Sequence, residues 1–282
     1  MVPMYTVPTS LSPSRVESFT SCPMAFRFAS IEKLPEPPSP HLTKGSLVHR
    51  ALELLFTLPP AERGGDAAFA ALDAAISEYL IHPDFTMLAL SDAEQAKFLS
   101  ECKDLVTAYL QMEDPTTIRE IGLELRLEAP VGALSLRGII DRLELDESGG
   151  LVVTDYKTGR APGVRYEQGR LAGVHFYSFL CEQVFGQRPS AIRLMYLKTG
   201  ETIEAIPSQQ SVRFITTRTT AVWKAVEKAC QTGDFRPRPG AFCGGCSFKA
   251  WCPAFGGDPS LAAVEVPLAL AAAASAAAGA AV

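Results

Sequence analysis

The chain has little cysteine, no membrane-length apolar run and no excess of positive charge. Seven cysteines in 282 residues are too few for a disulfide scaffold, and their uneven spacing points away from a secreted, cross-linked protein. Met1–Ser10 has neither a basic segment nor an apolar core, so no signal peptide is read. The alanine-rich tail is shorter and less hydrophobic than the roughly 20 residues of a membrane span. A Gly-x-x-x-x-Gly-Lys-Ser/Thr phosphate loop is missing, so no ATP motor and no nucleotide cofactor is expected. Gly-x-Gly-x-x-Gly and Gly-x-Ser-x-Gly fingerprints are missing as well. The expected setting is cytoplasmic and reducing, with no membrane partner.

What remains is a chain of 47% hydrophobic and 20% charged residues, enough for a sizeable core and against disorder as the general state. Its net charge of −5 argues against a nucleic-acid binder until the distribution is considered. Residues 1–155 carry 12 Lys/Arg against 23 Asp/Glu, whereas residues 156–254 carry 14 against 6. A basic C-terminal half can face phosphates that the whole-chain charge conceals.

The chain reads first as helices. Ser12 is an N-cap and Pro13 a first helical position for a helix over Ser14–Thr20. Pro35–Pro40 is a connector. From Leu47 to Leu58 the apolar residues follow helical spacing, until Pro59-Pro60 stops them. Helices over about Asp66–Ile81 and Ser91–Gln111 complete a helical insertion. Then the period changes to two, with strands over Glu120–Glu128, Leu134–Leu145 and Leu151–Tyr156. Asp146-Glu147-Ser148-Gly149-Gly150 joins the last two as a hairpin. A helix over Leu171–Phe185, strands over Ala191–Leu197 and Thr202–Ala205, and a helix over Gln209–Gln231 follow. Asp234–Gly256 is loop-like, and the tail beyond Pro267 is disordered or weakly helical.

Folding the hairpin about Ser148 brings Asp141, in Gly138-Ile139-Ile140-Asp141-Arg142, close to Asp155 on the paired strand. Opposed residues on such strands have Cβ atoms about 5 Å apart. Asp155 and Lys157 share one strand face. Two carboxylates that close repel unless a divalent cation sits between them or one takes up a proton. Mg²⁺ or Mn²⁺, which prefer oxygen ligands, suit the pair. Two unrelated surface aspartates are the plainer alternative, against which the Asp-x-Lys spacing and the flanking apolar residues argue. His49 and Glu53 lie one helical turn apart. His49 is a candidate third ligand, although a lone histidine is more often structural, and Glu53 reads as a solvent-facing or supporting residue.

Cys243-Gly-Gly-Cys246, with Cys252 six residues on and Cys22 near the start, offers four thiolates. Four thiolates hold either tetrahedral Zn²⁺ or an iron–sulfur cluster. A zinc ribbon usually has a second Cys-x-x-Cys knuckle, which is missing. Cys102, Cys181 and Cys230 sit in helical patterns and read as buried thiols.

His49, then Gly-Ile-Ile-Asp141-Arg, then Asp155-Tyr-Lys157-Thr-Gly, in this order, resembles the PD-(D/E)XK nuclease superfamily, and more narrowly RecB-like exonuclease domains, from about Leu11 to Pro253. The resemblance implies an α/β fold: a restriction-endonuclease-like core with a central mixed sheet flanked by helices, a helical insertion at about 60–112 and a C-terminus stapled by an iron–sulfur cluster. The nuclease domain would cover 11–256, and 257–282 would be an alanine-rich disordered tail. The resemblance makes His49, Asp141 and Asp155 ligands of catalytic Mg²⁺ or Mn²⁺. It makes Lys157 the residue that orients water and stabilises developing charge. Cys22, Cys243, Cys246 and Cys252 would hold a [4Fe–4S] cluster rather than Zn²⁺. Tyr177, Arg142 and Arg160 are candidate DNA contacts, with a buried aromatic the alternative for Tyr177. The family's helical Gln, four residues before the Tyr, is Gly173 here, and Gln168 lies five residues too early.

The expected function is metal-dependent hydrolysis of DNA, most simply as an exonuclease in recombination or repair, with any unwinding left to a separate helicase. Two alternatives stand beside it. One is a CRISPR-associated single-strand exonuclease acting in spacer acquisition. The other is a catalytically silent iron–sulfur DNA-binding subunit of a helicase–nuclease complex, which has no need of the intact His49, Asp141, Asp155 and Lys157 set.

Overall fold

Serine and proline fix where the early helices begin. The computed structural model describes residues 4–161 and 164–280, with side chains left out of the description at 164–174 and 272–280. In chain order the elements are β1 (Ser10–Leu11), α1 (Pro13–Ser21), α2 (Pro23–Phe26), α3 (Pro40–Phe56), α4 (Gly65–Leu80), α5 (Pro83–Thr86) and α6 (Asp92–Met112). Then come β2 (Glu120–Val131), β3 (Leu134–Leu145), β4 (Leu151–Lys157), α7 (Val164–Phe185), β5 (Ala191–Tyr196), β6 (Glu201–Ala205), α8 (Gln209–Thr232) and α9 (Ala262–Ala280). Ser12 caps α1, accepting the Arg15 amide at 3.3 Å, and Ser91 forms a capping box with Glu94 on α6.

Two elements depart from the sequence reading. Apolar spacing predicts a helix only from Leu47, but α3 opens at Pro40, because Ser39 accepts the Leu42 amide at 3.2 Å and proline suits the first position. The polar run between carries no periodic signal. Where a disordered or weakly helical tail is expected, α9 is helix through Ala280, with Pro267 inside it. Alanine is the strongest helix former, which accounts for the difference.

The chain divides into two compact units: Met1–Pro37, Glu128–Arg137 and Arg213–Val282 form one, and Pro38–Leu127 and Gly138–Val212 the other. The stretch 11–256 therefore runs through both.

In the second unit β4 is central. It pairs antiparallel with β3, Arg142 opposite Thr154, and parallel with β5, Asp155 opposite Leu194. β5 pairs antiparallel with β6. The sheet is mixed, and β4 is buried from Leu151 to Tyr156, as expected of a strand covered on both faces. Leu47, Leu52 and Phe56 of α3 pack with Leu72 of α4 and with Phe98, Val106 and Tyr109 of α6, and this core takes in Tyr156 and Met195 of the sheet. The helical insertion thus builds core. In the first unit β1 runs parallel to the start of β3, Ser10 opposite Ser135. Its first and last segments meet there, with Phe28 against Phe248 at 5.3 Å between ring centres and Arg27 donating to the Pro259 carbonyl at 3.3 Å. Among the described residues no helix is long and apolar enough to cross a membrane.

Gly138 lets α7 approach β3. A Cβ there would stand 2.8 Å from Leu180 Cδ1 and 3.2 Å from Tyr177 Cε1. Gly138→Ala is expected to destabilise the fold by about 1–3 kcal/mol through overpacking. Urea unfolding measures this, and an unchanged midpoint would show that α7 has room to retreat.

Candidate active site

The hairpin turn sets the register on which the site depends. Asp146 Oδ1 accepts the amides of Ser148 and Gly150 at 2.9 and 2.8 Å, and Gly149 takes the left-handed φ of 83° that a residue without Cβ adopts freely. With Arg142 opposite Thr154, one further residue along each strand brings Asp141 and Asp155 side by side. Lys157 forms an ion pair with Asp155 Oδ2. Tyr177 of α7 donates to Asp155 Oδ1 at 3.4 Å. His49, from α3, places Nδ1 3.5 Å from Asp141 Oδ2 and Nε2 3.0 Å from the Tyr156 carbonyl oxygen.

A residue outside the sequence reading joins them. One ligand atom each from His49, Glu124 and Asp141 lie within 4.8 Å of one another. Glu124 belongs to β2, where Glu120, Gly122, Glu124, Arg126 and Glu128 alternate with apolar residues and so read as a solvent-facing row. The backbone instead takes φ 42° at Glu124, a strain on the order of 1 kcal/mol for a residue with a side chain. No local pattern announces it. An imidazole nitrogen and two carboxylates are a donor set suited to Mg²⁺ or Mn²⁺. Asp155 stands outside this trio, beside it, held by Lys157 and Tyr177.

Burial and like charge raise the protonation tendency here. Asp155 is only 4% exposed; burial and then the Asp141 charge push its carboxyl up, against the pull of Lys157. Burial, followed by Asp141, does the same to Glu124. Burial works to lower His49 and Lys157, but the carboxylates outweigh it and leave both raised, Asp141 chiefly for His49 and Asp155 chiefly for Lys157. The Tyr177 phenol is driven well up by burial and by Asp155. The cluster is thus an excess of negative charge relieved by one ammonium, which a cation would relieve further.

Arg142 requires a correction. Expected as a DNA contact, its side chain has no exposure at all. Strand alternation turns it to the other face of the hairpin from Asp141, where it donates to both oxygens of Glu113, to Tyr156 Oη at 2.7 Å and to Thr154 Oγ1 at 3.3 Å. It also pairs with Glu144 at 2.5 Å and lies over the Phe56 ring at 4.7 Å. Arg160 is exposed. Tyr177 is partly buried against Asp155. Gly173 and Gln168 have side-chain positions outside the described residues.

In the other unit, Cys22, Cys243, Cys246 and Cys252 line one cavity, walled also by Phe28 and Phe248. Cys22 links the end of α1 to the start of α2. Its Sγ accepts the Arg238 amide at 3.5 Å, and Cys243 Sγ accepts the Gly240 amide at 3.3 Å. Four thiols with main-chain N–H donors suit a thiolate-ligated centre, which such bonds stabilise. Cys102, Cys181 and Cys230 are buried away from this cavity. Burial pushes the first two thiols up to about 12 and Cys230 up to about 11, where they are inert.

The mixed sheet carries the paired aspartates and the Asp-x-Lys strand end, and comparison with known proteins identifies the family. The family model of the PD-(D/E)XK nuclease superfamily matches residues 10–253. The chain belongs to that superfamily: it is a nuclease, a hydrolase for which the family implies DNA as substrate. The crystal structure of a protein described as a putative exonuclease from Eubacterium rectale shares its fold, at 12% identity over 84% of this chain and 87% of that one, with a TM-score of 0.54. The structure of SSO0001 aligns at 14% identity over 88% of each chain with a TM-score of 0.40. No curated protein matches.

Removing Glu113 tests the buried network. Glu113→Ala leaves Arg142 short of its bidentate partner without changing exposed chemistry. The expected loss is about 3–5 kcal/mol of stability, read from the midpoint of urea unfolding, and a loss below about 1 kcal/mol would mean that water or Glu144 replaces it.

Proposed function

We propose that this nuclease is a Mg²⁺- or Mn²⁺-dependent deoxyribonuclease of the RecB-like type that degrades DNA from ends in recombination or repair. The observation that carries this reading is the convergence of His49, Glu124 and Asp141 beside the Asp155–Lys157 pair. His49, Glu124 and Asp141 would hold the ion, with Asp155 next to them. When bound, a divalent cation would supply Lewis-acid polarisation of a phosphodiester and greater acidity of nearby water. Lys157 is fixed by Asp155 with its ammonium at the site, where it orients the attacking water and offsets charge that develops on phosphorus oxygens. Tyr177 holds the second oxygen of Asp155. Arg160 would meet backbone phosphate, a role its exposure just after β4 supports. End-directed cutting and the RecB-like assignment rest on the motif resemblance, and strand separation falls to a separate helicase.

We further assign Cys22, Cys243, Cys246 and Cys252 to a [4Fe–4S] cluster with a structural role, supported by their shared cavity and its N–H···S bonds. It would cross-link residues more than two hundred positions apart.

Two experiments test these assignments. On end-labelled linear and circular DNA with Mn²⁺, Asp141→Asn and Asp155→Asn should each cut at least about a hundredfold more slowly while still binding DNA, and Lys157→Ala should lose hydrolysis yet keep near-normal Mn²⁺ binding. Normal cutting by any of the three removes that residue from the site, and circular DNA cut as fast as linear removes the end requirement.

For the cluster, protein purified without oxygen should carry roughly four irons. Cys22→Ala should lose iron and stability as severely as Cys243→Ala, because a centre formed only in the folded state contributes to folding. Cys102→Ala should keep its iron. Stoichiometric zinc in place of iron would make the centre a zinc site.

A further inference from the structure

The main chain of one residue, Tyr156, touches both His49 and Asp141. The Tyr156 amide donates to Asp141 Oδ2 at 2.7 Å, and the Tyr156 carbonyl oxygen lies 3.0 Å from His49 Nε2. A carbonyl only accepts, so Nε2 must carry the proton. The other ring nitrogen, Nδ1, then holds the free lone pair in the neutral imidazole, and it faces the Asp141 carboxylate at 3.5 Å. Asp141 Oδ2 is occupied by the amide, which leaves Oδ1 as its less engaged oxygen. The main chain of Tyr156 therefore sorts the donor atoms of two metal-ligand candidates at once.

The side chain of Tyr156 is anchored on the opposite face of β4. Its Oη accepts from Arg142, and its ring lies 5.6 Å from the guanidinium carbon and 5.8 Å edge-on from Tyr109. Arg142 is held in turn by Glu113 and Glu144, and Glu144 by Arg193 at 3.0 Å. Phe56 under Arg142 belongs to α3, the helix that carries His49. A fully buried arginine tied to three elements is more than charge balance requires. It locks α3 and β4 at the spacing that the Nε2···O=C bond needs.

We propose that Arg142 and Tyr156 are positioning residues that fix His49 as its Nε2–H tautomer and present Nδ1, not Nε2, to the divalent cation. This rests on the metal-dependent reading above. An acceptor on the N–H of a ligating histidine is the usual way that ring orientation and basicity are set, and its loss typically lowers metal affinity or activity by 10–100-fold.

The test compares amides that imitate one ring nitrogen each. The Asn side chain reaches the place of Nδ1, and the longer Gln reaches that of Nε2. Mn²⁺ affinity is measured by calorimetry on wild type, His49→Asn, His49→Gln and His49→Ala. His49→Asn should retain affinity within about tenfold of wild type, while His49→Gln falls to the level of His49→Ala. His49→Gln binding better than His49→Asn would overturn the assignment, as would His49→Ala binding like wild type.

A second arm uses Tyr156→Phe, which keeps the ring and removes only the link to Arg142. Its Mn²⁺ affinity should fall by about tenfold, and ¹⁵N-histidine spectra of wild type should show Mg²⁺ shifting Nδ1 while Nε2 keeps its proton. Tyr156→Phe with a lower unfolding midpoint but unchanged Mn²⁺ affinity would reduce the anchor to a structural role and overturn its positioning one. Wild-type protein that binds neither ion would overturn the metal reading itself, an outcome distinct from either reversal among the variants.

Discussion

Two carboxylates on neighbouring strands repel, and the pairing of β3 with β4 forces Asp141 and Asp155 together regardless. The turn fixed by Asp146 sets that pairing, and the rest of the second unit is arranged around its consequence. Lys157 neutralises Asp155, the Tyr156 amide takes one oxygen of Asp141, and α3 and β2 add His49 and Glu124 to the same small space. A site that gathers more negative charge than it neutralises is poised for a cation, because folding has already met the repulsion that binding relieves.

Strand alternation keeps two charged clusters apart only one residue from each other. Asp155 and Lys157 share one face of β4; Thr154 and Tyr156 share the other with Arg142. On the first face the Asp155 carboxylate is buried while the Lys157 ammonium stays partly exposed. On the second Arg142 and Glu144 are buried, with Glu113 and the partly exposed Arg193 completing a set of two arginines and two glutamates. A buried ion pair of this kind is a poor source of stability compared with apolar packing, but it specifies one geometry. Here that geometry lies directly behind the face that carries Asp155 and Lys157.

The parts of this structure legible in the sequence are those written in local pattern. The hairpin was readable because Asp-Glu-Ser-Gly-Gly separates two period-two runs, and with it the closeness of Asp141 to Asp155. The mixed sheet comes only with the family resemblance, because which strands pair in parallel is not written in local pattern. Glu124 is not readable: on an alternating strand its position belongs to the solvent side, and its left-handed φ, like its approach to His49 and Asp141, is invisible to periodicity. The burial of Arg142 is hidden from the sequence for a similar reason. An arginine beside a motif aspartate suggests phosphate binding, and the partner that buries it, Glu113, is 29 residues away at the end of α6. The start of α3 was hidden because capping by Ser39, not apolar spacing, determines it.

The division of the chain has a consequence for the order in which the protein is made. Every segment of the unit that holds His49, Glu124, Asp141, Asp155 and Lys157 has been synthesised by residue 212, whereas the other unit draws on both the first 37 residues and those from 213 onward. Domains generally fold as units during synthesis. The cluster of His49, Glu124, Asp141, Asp155 and Lys157 can therefore assemble on the ribosome before Cys243, Cys246 and Cys252, which line one cavity with Cys22, have been made.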